Sequence, residues 1–199
     1  MLDLEGLALK KLGEYRLNHT LCVADSAEDL AKKYFVDPDK ARTAAMLHDI
    51  MKDTAYDDLL RMFDQSGIIL TRDDLRSPQI WHGMAAAAYL RDELKIEDED
   101  IFNAVYYHST GRAGMTELEK VIFVADYISA DRKYEDVEEM RRLSKISLDE
   151  AIIYALVFQI RRLAGERGYI HPNSLACYNE LLDKKNSNGN KNNNLGGMA

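Results

Sequence analysis

The sequence predicts an all-α protein that folds as a single-domain helical bundle. Along most of the chain the apolar residues recur at intervals of three and four, which is the spacing of one helix face and not of a strand. Only three prolines and eleven glycines interrupt the 199 residues, and the connections between the periodic stretches are short. Hydrophobic residues at 46% and charged residues at 30% are typical of a globular chain that buries a core.

Ten helices are predicted, and local residues mark the ends of several of them. Asp37-Pro38 fits an N-cap followed by proline at the first helical position. Thr116–Glu119 and Ser147–Glu150 both match the capping-box pattern ahead of an apolar run. Gly168 suits the C-cap of the long helix before it. The predicted helices span residues 4–14, 18–35, 38–51, 55–65, 78–94, 98–109, 116–131, 135–143, 148–167 and 172–184.

The composition changes near residue 185. Six of the nine residues from Asn186 to Asn194 are asparagine, so this segment has no apolar face to bury. We therefore expect residues 1–184 to form the folded domain and residues 185–199 to form a disordered tail that carries no chemistry.

Charge and composition exclude several classes of protein. Lys and Arg number 26 against 34 Asp and Glu, and the net charge of −8 disfavours nucleic acids and anionic membranes as partners. The longest apolar run, residues 151–158, has eight residues, whereas about 20 are needed to cross a bilayer. The N-terminal MLDLEGLALKKLGEY lacks the apolar core of a signal peptide, and two cysteines are too few for a disulfide framework. These features predict a cytoplasmic protein.

Four of the five histidines, and one aspartate, fall on the apolar faces of five predicted helices. An ionised carboxylate on such a face costs several kcal/mol unless it is paired or binds a metal ion. A single histidine there is more often an ordinary core residue. Helices packed around one centre, however, would bring the four imidazoles and this carboxylate together, and Asp49, beside His48, would supply a second carboxylate. Mixed ligands of this kind suit iron, manganese, zinc or cobalt. The candidate ligands are His19, His48, Asp49, His82, His108 and Asp126.

The order of these six residues resembles the HD-domain metal-dependent phosphohydrolases, whose pattern is H…HD…H…H…D. The spacings here are 29, 34, 26 and 18 residues. Three segments are similar to the bacterial YqeK family of HD hydrolases: LHDIMKD (47–53), YHSTGRAGMTELEKVIFVADYISADR (107–132) and IHPNS (170–174). The resemblance covers residues from about 8 to about 182. It implies a helical bundle of the HD-domain type and an enzyme, usually iron-containing, that splits diadenosine tetraphosphate symmetrically into two ADP.

The resemblance also implies two adjacent metal positions that share Asp49. The first position would be completed by His19, His48 and Asp126. The second would be completed by His82 and His108. The expected cofactor is a divalent transition metal, as one or two iron ions, with manganese, cobalt and zinc as alternatives. Asp49 and Lys52 are the expected catalytic residues.

Substrate contacts are expected from Lys52, from the segment after His108 and from the turn near residue 171. Lys52 lies one helical turn after His48, which aims its ammonium at the same centre unless it is only a solvated helix-end residue. Arg112 suits a bidentate grip on phosphate, although its segment could also be an ordinary C-capping loop. The expected contacts are Lys52, His82, Ser109, Thr110, Gly111, Arg112, Tyr127, Arg132, Ile170, His171 and Ser174.

Several alternatives stay open from the sequence. HD chemistry also serves nucleoside monophosphates, cyclic nucleotides and alarmones, and a nucleotide-sensing module can keep the same fold without catalysis. A nucleic-acid-binding helical domain is disfavoured by the negative charge. The helix at 148–167 belongs either to the core or to the face of a homodimer.

Overall fold

The structure is a computed structural model that describes residues 3–195, with side chains described as far as residue 187. Within residues 3–195 the chain forms eleven α-helices, one 3₁₀ turn and no strand, which confirms the all-α prediction. The elements are α1 (Leu4–Lys11), α2 (Glu14–Lys33), α3 (Pro38–Leu47), α4 (Tyr56–Ser66), α5 (Arg72–Leu75), the 3₁₀ turn Pro78–Ile80, α6 (Trp81–Asp92), α7 (Glu99–Tyr106), α8 (Glu117–Ile128), α9 (Val137–Ser144), α10 (Leu148–Gly165) and α11 (Pro172–Leu195).

The core surrounds α8, whose residues from Leu118 to Ala125 are all buried. Helix α8 packs against α2, α3, α7, α9 and α10, and α6 covers α7 from the other side. Helix α6 carries four consecutive buried alanines, Ala85–Ala88, and their small side chains let neighbouring helices approach closely. This packing turns the ends of α3 and α7 and the second turn of α2 toward one centre.

All four predicted helix-end signals take part in capping, but Gly168 lies two residues after the C-cap residue Glu166 and not at the C-cap itself. Thr116 forms a full capping box with Glu119, the Asp37 side chain accepts from two backbone N–H groups, and the Ser147 side chain accepts from the Glu150 N–H. Helix α10 ends at Gly165, and Arg167 rather than a glycine takes the left-handed conformation, with φ of 54°. Gly168 follows it and donates its N–H to the Leu163 carbonyl at 2.7 Å.

Two differences from the predicted helices lie beside the candidate ligand residues. Helix α3 ends at Leu47 and not at residue 51, because tight i to i+3 bonds such as Lys52 N–H to Asp49 C=O, 2.8 Å, replace the helical pattern. Helix α6 starts at Trp81, after a 3₁₀ turn that begins at Pro78. The sequence analysis missed the one-turn helix α5, which a capping box at Thr71 opens.

The last helix is longer than predicted. Helix α11 continues from residue 184 to Leu195, so the structure differs from the expected disordered tail over residues 185–195. Once a helix is nucleated, each added residue gains a backbone hydrogen bond without needing an apolar face. Residues 196–199 of the expected tail lie outside the described residues, and the domain boundary at 184 stays a prediction.

Helix α10 belongs to the core, which was one of the two alternatives for it. Ile152 and Leu156 are fully buried, and the helix packs against α8, α9 and α11. In the described part of the chain, no helix combines the length and apolar character needed to cross a membrane.

Candidate active site

The structure brings all six predicted metal ligands together at one centre. His19 comes from the second turn of α2, His82 from the first turn of α6 and Asp126 from the last turn of α8. His48 and Asp49 follow the end of α3, and His108 follows the end of α7. The four histidine side chains and that of Asp49 are at most 5% exposed, and that of Asp126 is 18% exposed.

The ligands form two clusters of three, within each of which the ligand atoms lie within 4.8 Å of one another. In cluster A, His19 Nε2 lies 3.0 Å from Asp126 Oδ1. In cluster B, Asp49 Oδ1 lies 3.0 Å from His82 Nε2 and 3.6 Å from His108 Nε2. Cluster A consists of His19, His48 and Asp126, and cluster B of Asp49, His82 and His108.

Asp49 connects the two clusters. Its Oδ1 faces cluster B, whereas its Oδ2 lies 3.8 Å from His48 Nε2 in cluster A. The histidine rings continue this contact, since the ring centroids of His48 and His108 are 5.1 Å apart. Asp49 has one oxygen toward each cluster, so its carboxylate could help to hold a cation at either of them.

Two of the histidines are oriented by backbone carbonyls. The Nδ1–H of His48 donates to the Ala45 carbonyl at 2.6 Å, and that of His108 donates to the Val105 carbonyl at 2.7 Å. Because a carbonyl only accepts, these bonds place the proton on Nδ1 and leave the Nε2 lone pair facing the clusters. This is the tautomer that an Nε2 metal ligand requires.

The clusters pass a direct test of whether they fit a metal. His48 Nε2 and Asp49 Oδ1 are buried, and neither has a hydrogen-bond partner in the protein. Leaving such atoms without a partner costs free energy, and few native groups remain in that state. A divalent cation held by cluster A would give His48 Nε2 a partner, and one held by cluster B would do the same for Asp49 Oδ1, so the donor set suits a metal.

His19 is oriented by a carboxylate that the sequence analysis missed. Its Nδ1 lies 2.9 Å from Asp131 Oδ2, and the Ser129 hydroxyl donates to the other oxygen of Asp131 at 2.7 Å. A carboxylate on the far nitrogen of a ligating histidine fixes its ring and raises its basicity. Asp131 lies in the ADYISADR segment, but only the fold past the end of α8 shows its partner.

Three basic side chains lie beside the carboxylates of the site. The Lys52 ammonium is 3.0 Å from His82 Nε2 and 3.6 Å from Asp49 Oδ1. The Arg132 guanidinium donates to Asp126, both to its side chain and, at 2.9 Å, to its backbone carbonyl. Arg16, which the sequence analysis missed, lies 3.3 Å from Asp49 Oδ2, one helical turn before His19.

The electrostatics of His48, His82 and Asp49 favour the protonation states that metal ligands need. Burial lowers the pKa of His48 and that of His82 to about 4, so both imidazoles are neutral at pH 7. Burial alone would raise the pKa of Asp49, but the neighbouring imidazoles of His48, His108 and His82 and the Lys52 ammonium hold it well below its usual range. Neutral imidazoles and ionised carboxylates are the forms that bind cations.

A cavity of about 360 Å³ opens beside cluster A. Eight predicted residues line it: Lys52, Ser109, Thr110, Asp126, Tyr127, Arg132, His171 and Ser174. The sequence analysis missed eight more, which come mainly from α10 and the loops on either side: Gln79, Ile80, Tyr134, Phe158, Gln159, Arg162, Leu163 and Tyr169. Aromatic walls with cations beside them suit a nucleotide.

Four of the predicted substrate contacts do not line this cavity. His82 points into cluster B, Gly111 packs against Cys177 in a left-handed conformation with φ of 62°, and Ile170 is only half-buried nearby. Arg112 is committed elsewhere, since it makes two bonds of 2.7 and 2.6 Å to the carboxylate of Glu119, which is 1% exposed. In the structure Arg112 is therefore engaged in an ion pair with a buried carboxylate, and its expected grip on phosphate stays a prediction.

Comparison with known proteins agrees with this geometry. The sequence profile of the HD domain family matches residues 16–131, which contain all six ligand residues. A protein of Halalkalibacterium halodurans is 39% identical over 173 residues, which are 86% of this chain and 91% of that protein. A protein of Bacillus subtilis is 34% identical over 180 residues, 89% of this chain and 96% of that protein. Both are named bis(5′-nucleosyl)-tetraphosphatase, symmetrical.

A solved structure shares the fold. The crystal structure of a Clostridium acetobutylicum protein, described as a predicted HD superfamily hydrolase involved in NAD metabolism, superposes with a TM-score of 0.88 at 32% identity. The match covers 91% of this chain and 96% of that one. The chain therefore belongs to the HD-domain family, and within it to the group that contains the symmetrical bis(5′-nucleosyl)-tetraphosphatases.

Proposed function

We propose that this protein hydrolyses diadenosine tetraphosphate symmetrically, giving two molecules of ADP. The observation that carries the proposal is the pair of three-residue clusters joined by Asp49 at the edge of a nucleotide-sized cavity. Relatives of 34–41% identity that carry the name of this activity support it. The reaction breaks one bond of the central P–O–P bridge, and water supplies the hydroxyl to one half and the proton to the other.

Clusters A and B are proposed to hold one or two divalent ions. A cation bound there supplies Lewis acidity, which acidifies water and offsets the charge of the phosphates. Mixed imidazole and carboxylate ligands support iron, with manganese, cobalt and zinc as alternatives. Cys22 and Cys177 are free thiols, and neither belongs to cluster A or cluster B.

The side chains around the clusters would bind and orient the phosphates. Lys52 lies beside His82 and Asp49, where its ammonium can contact a phosphate oxygen above cluster B. Arg132 lines the cavity while it pairs with Asp126, and Arg162 adds a further guanidinium to the same wall. Since the whole chain carries a charge of −8, the attraction for an anionic substrate has to be this local.

The nucleoside is proposed to lie in the main cavity. Tyr127 stacks on Phe123 with ring centroids 5.2 Å apart, and it still lines the cavity. Its ring is therefore held in place and can contact a base. His171 and Ser174 close the opposite wall, and the Ser174 hydroxyl is held by the Thr110 carbonyl at 3.0 Å.

The free thiols of Cys22 and Cys177 support a reducing compartment, so we place the protein in the cytoplasm of a bacterium, the source of the relatives above. A homodimer remains an expectation that sedimentation or light scattering can test. The described residues contain no membrane-spanning helix. The proposed partner is a small-molecule dinucleotide, which fits the cavity beside the clusters.

Product identification tests the proposed reaction. The metal-loaded protein is incubated with diadenosine tetraphosphate, and the products are separated by ion-exchange chromatography. ADP as the sole product is expected, and AMP with ATP would exclude symmetrical cleavage. A panel of nucleoside monophosphates, cyclic nucleotides and alarmones shows whether another nucleotide is preferred, and Asp49→Ala serves as the inactive control.

A further inference from the structure

A second, smaller groove reaches the metal-ligand clusters from the other side of Lys52. It has a volume of about 170 Å³ and shares Lys52 and Gln79 with the main cavity. The main cavity contains Asp126 of cluster A, whereas the second groove contains His82 of cluster B. The two grooves therefore border different clusters of the pair, and Lys52 and Gln79 lie where they meet.

The wall of the second groove carries an exposed aromatic ring on a buried support. Tyr56, the first residue of α4, is 55% exposed, and its ring meets Trp81 edge-on with centroids 5.7 Å apart. Trp81 is buried, packs against Phe63 and donates its indole N–H to the Asp74 carbonyl at 2.8 Å. An edge contact holds the Tyr56 ring in position and leaves ring surface free, as in a platform on which a base stacks.

We propose that the groove at Tyr56 binds the second nucleoside of a dinucleoside polyphosphate, by stacking of its base on the Tyr56 ring. This inference rests on the proposed function, because only a substrate with a nucleoside at each end needs two grooves. The first nucleoside occupies the main cavity, the phosphates pass Lys52 and both clusters, and the second nucleoside leaves past His82 toward Tyr56.

Two substrates that differ only at the second nucleoside test the proposal. Diadenosine tetraphosphate has a nucleoside at both ends, and adenosine 5′-tetraphosphate has the same four phosphates but one nucleoside. Tyr56→Ala is expected to raise KM for diadenosine tetraphosphate about 10-fold, within the range measured for loss of base stacking, and to change kcat little. For adenosine 5′-tetraphosphate we expect KM to stay within about two-fold.

Three variants separate stacking from a structural effect. Tyr56→Phe keeps the ring and is expected to match the wild type. Tyr56→Leu keeps apolar contact with Trp81 but loses the ring, so it should resemble Tyr56→Ala with the fold preserved. Leu60→Ala, one turn along α4 at a residue that is 41% exposed, is the matched control and should change neither substrate.

Binding gives a readout that does not depend on turnover. Trp81 is the single tryptophan of the chain and touches Tyr56, so its fluorescence reports on this groove. A diadenosine tetraphosphate with methylene in place of the central bridging oxygen should change the Trp81 emission of the metal-loaded protein, and Tyr56→Leu should weaken that binding. Adenosine 5′-tetraphosphate should leave the emission unchanged.

The outcomes distinguish this inference from the proposed function. If the wild type yields ADP but Tyr56→Ala affects both substrates equally, or neither, the second subsite is wrong while the proposed reaction stands. If the wild type does not cleave diadenosine tetraphosphate, the proposed reaction fails, and the binding measurement with the methylene compound still decides whether the groove takes a nucleoside.

Discussion

Three of the four histidines in the clusters are oriented through the ring nitrogen that faces away from the clusters. His48 and His108 each donate to the carbonyl three residues earlier, so the end of the helix itself orients the ring. His19 lies within α2, where the carbonyls are already used, and Asp131 supplies the acceptor instead. Helix ends orient His48 and His108, and a carboxylate distant in sequence orients His19.

Replacing Asp131 tests that role. Asp131→Asn keeps the size of the side chain but removes the charge that supports His19, so we expect affinity for the metal to fall about 10- to 100-fold. Competition with a coloured chelator measures this affinity independently of turnover. Asp136→Asn is the matched control, since Asp136 is exposed and asparagine tolerates its left-handed backbone, φ 69°. Equal affinity in wild type and Asp131→Asn would contradict the role.

Replacing Arg112 separates a structural role from a substrate contact. Arg112→Ala leaves the buried carboxylate of Glu119 without its cation and with only the Thr116 backbone N–H as a partner, so the free energy of unfolding should fall by about 3 kcal/mol, with KM unchanged. Denaturant unfolding and steady-state kinetics measure the two effects.

The control for Arg112 is a similar pair on the surface. Arg142 also makes two bonds of 2.7 Å to a glutamate, Glu139, but both side chains are at least 40% exposed. Arg142→Ala should therefore cost less than about 1 kcal/mol. A normal stability of Arg112→Ala combined with a raised KM would restore the phosphate contact expected from the sequence.

The helices differ in how far sequence could predict them. Apolar periodicity predicts most of the helices because each buries one face, and the capping box of α8 fixes its first residue. The end of α3 escaped prediction, since Leu47 to Lys52 keeps a helical pattern while its backbone tightens into turns. The left-handed Arg167 was missed for the same kind of reason, because glycine is the usual residue there and Gly168 stands beside it.

The same limit applies to the site. The six candidate ligands could be predicted because their order matches the HD-domain pattern and because a carboxylate on an apolar face is costly without a partner. Asp131, Arg16 and the cavity wall from α10 depend on which loops and helices meet in space, and no periodicity records that. Arg112 shows the converse, since a residue close in sequence to His108 turns away from the site.

The docking of α11 makes a pH-dependent prediction. Cys177 is buried on α11 against Gly111 and Met115, and burial raises the pKa of its thiol to about 11. The thiol therefore stays protonated at pH 8 and should react with iodoacetamide far more slowly than the same residue in the unfolded chain, whose pKa is about 8.5. Because only the unfolded thiol ionises between about pH 8.5 and 11, it also lowers folded-state stability as the pH rises through that window.

Mass spectrometry of alkylated Cys177 over a range of pH checks this. The rate in the native protein should keep rising up to about pH 11. A plateau by about pH 9 would mean that the thiol is accessible and that α11 does not pack as described.

For the molecule as a whole, clusters A and B lie where α2, α3, α6, α7 and α8 meet, so a metal bound there should stabilise the entire fold. Ligands that bind only the native state raise its stability by about 2.7 kcal/mol at a concentration 100 times Kd. We expect chelator to lower the Tm by several degrees and added metal to restore it. His48→Ala should have a Tm that chelator does not change, and a chelator effect of the same size in that variant would contradict the site.

One paired measurement tests the central claim most directly: metal content and product identity on a single sample prepared without oxygen. Metal-free protein is titrated with ferrous iron, and ADP formation from diadenosine tetraphosphate is followed at each step. The two clusters predict that activity is absent without metal, rises to a maximum by about two equivalents and yields ADP alone. Undiminished ADP formation by the metal-free protein, or AMP and ATP as products, would contradict the account.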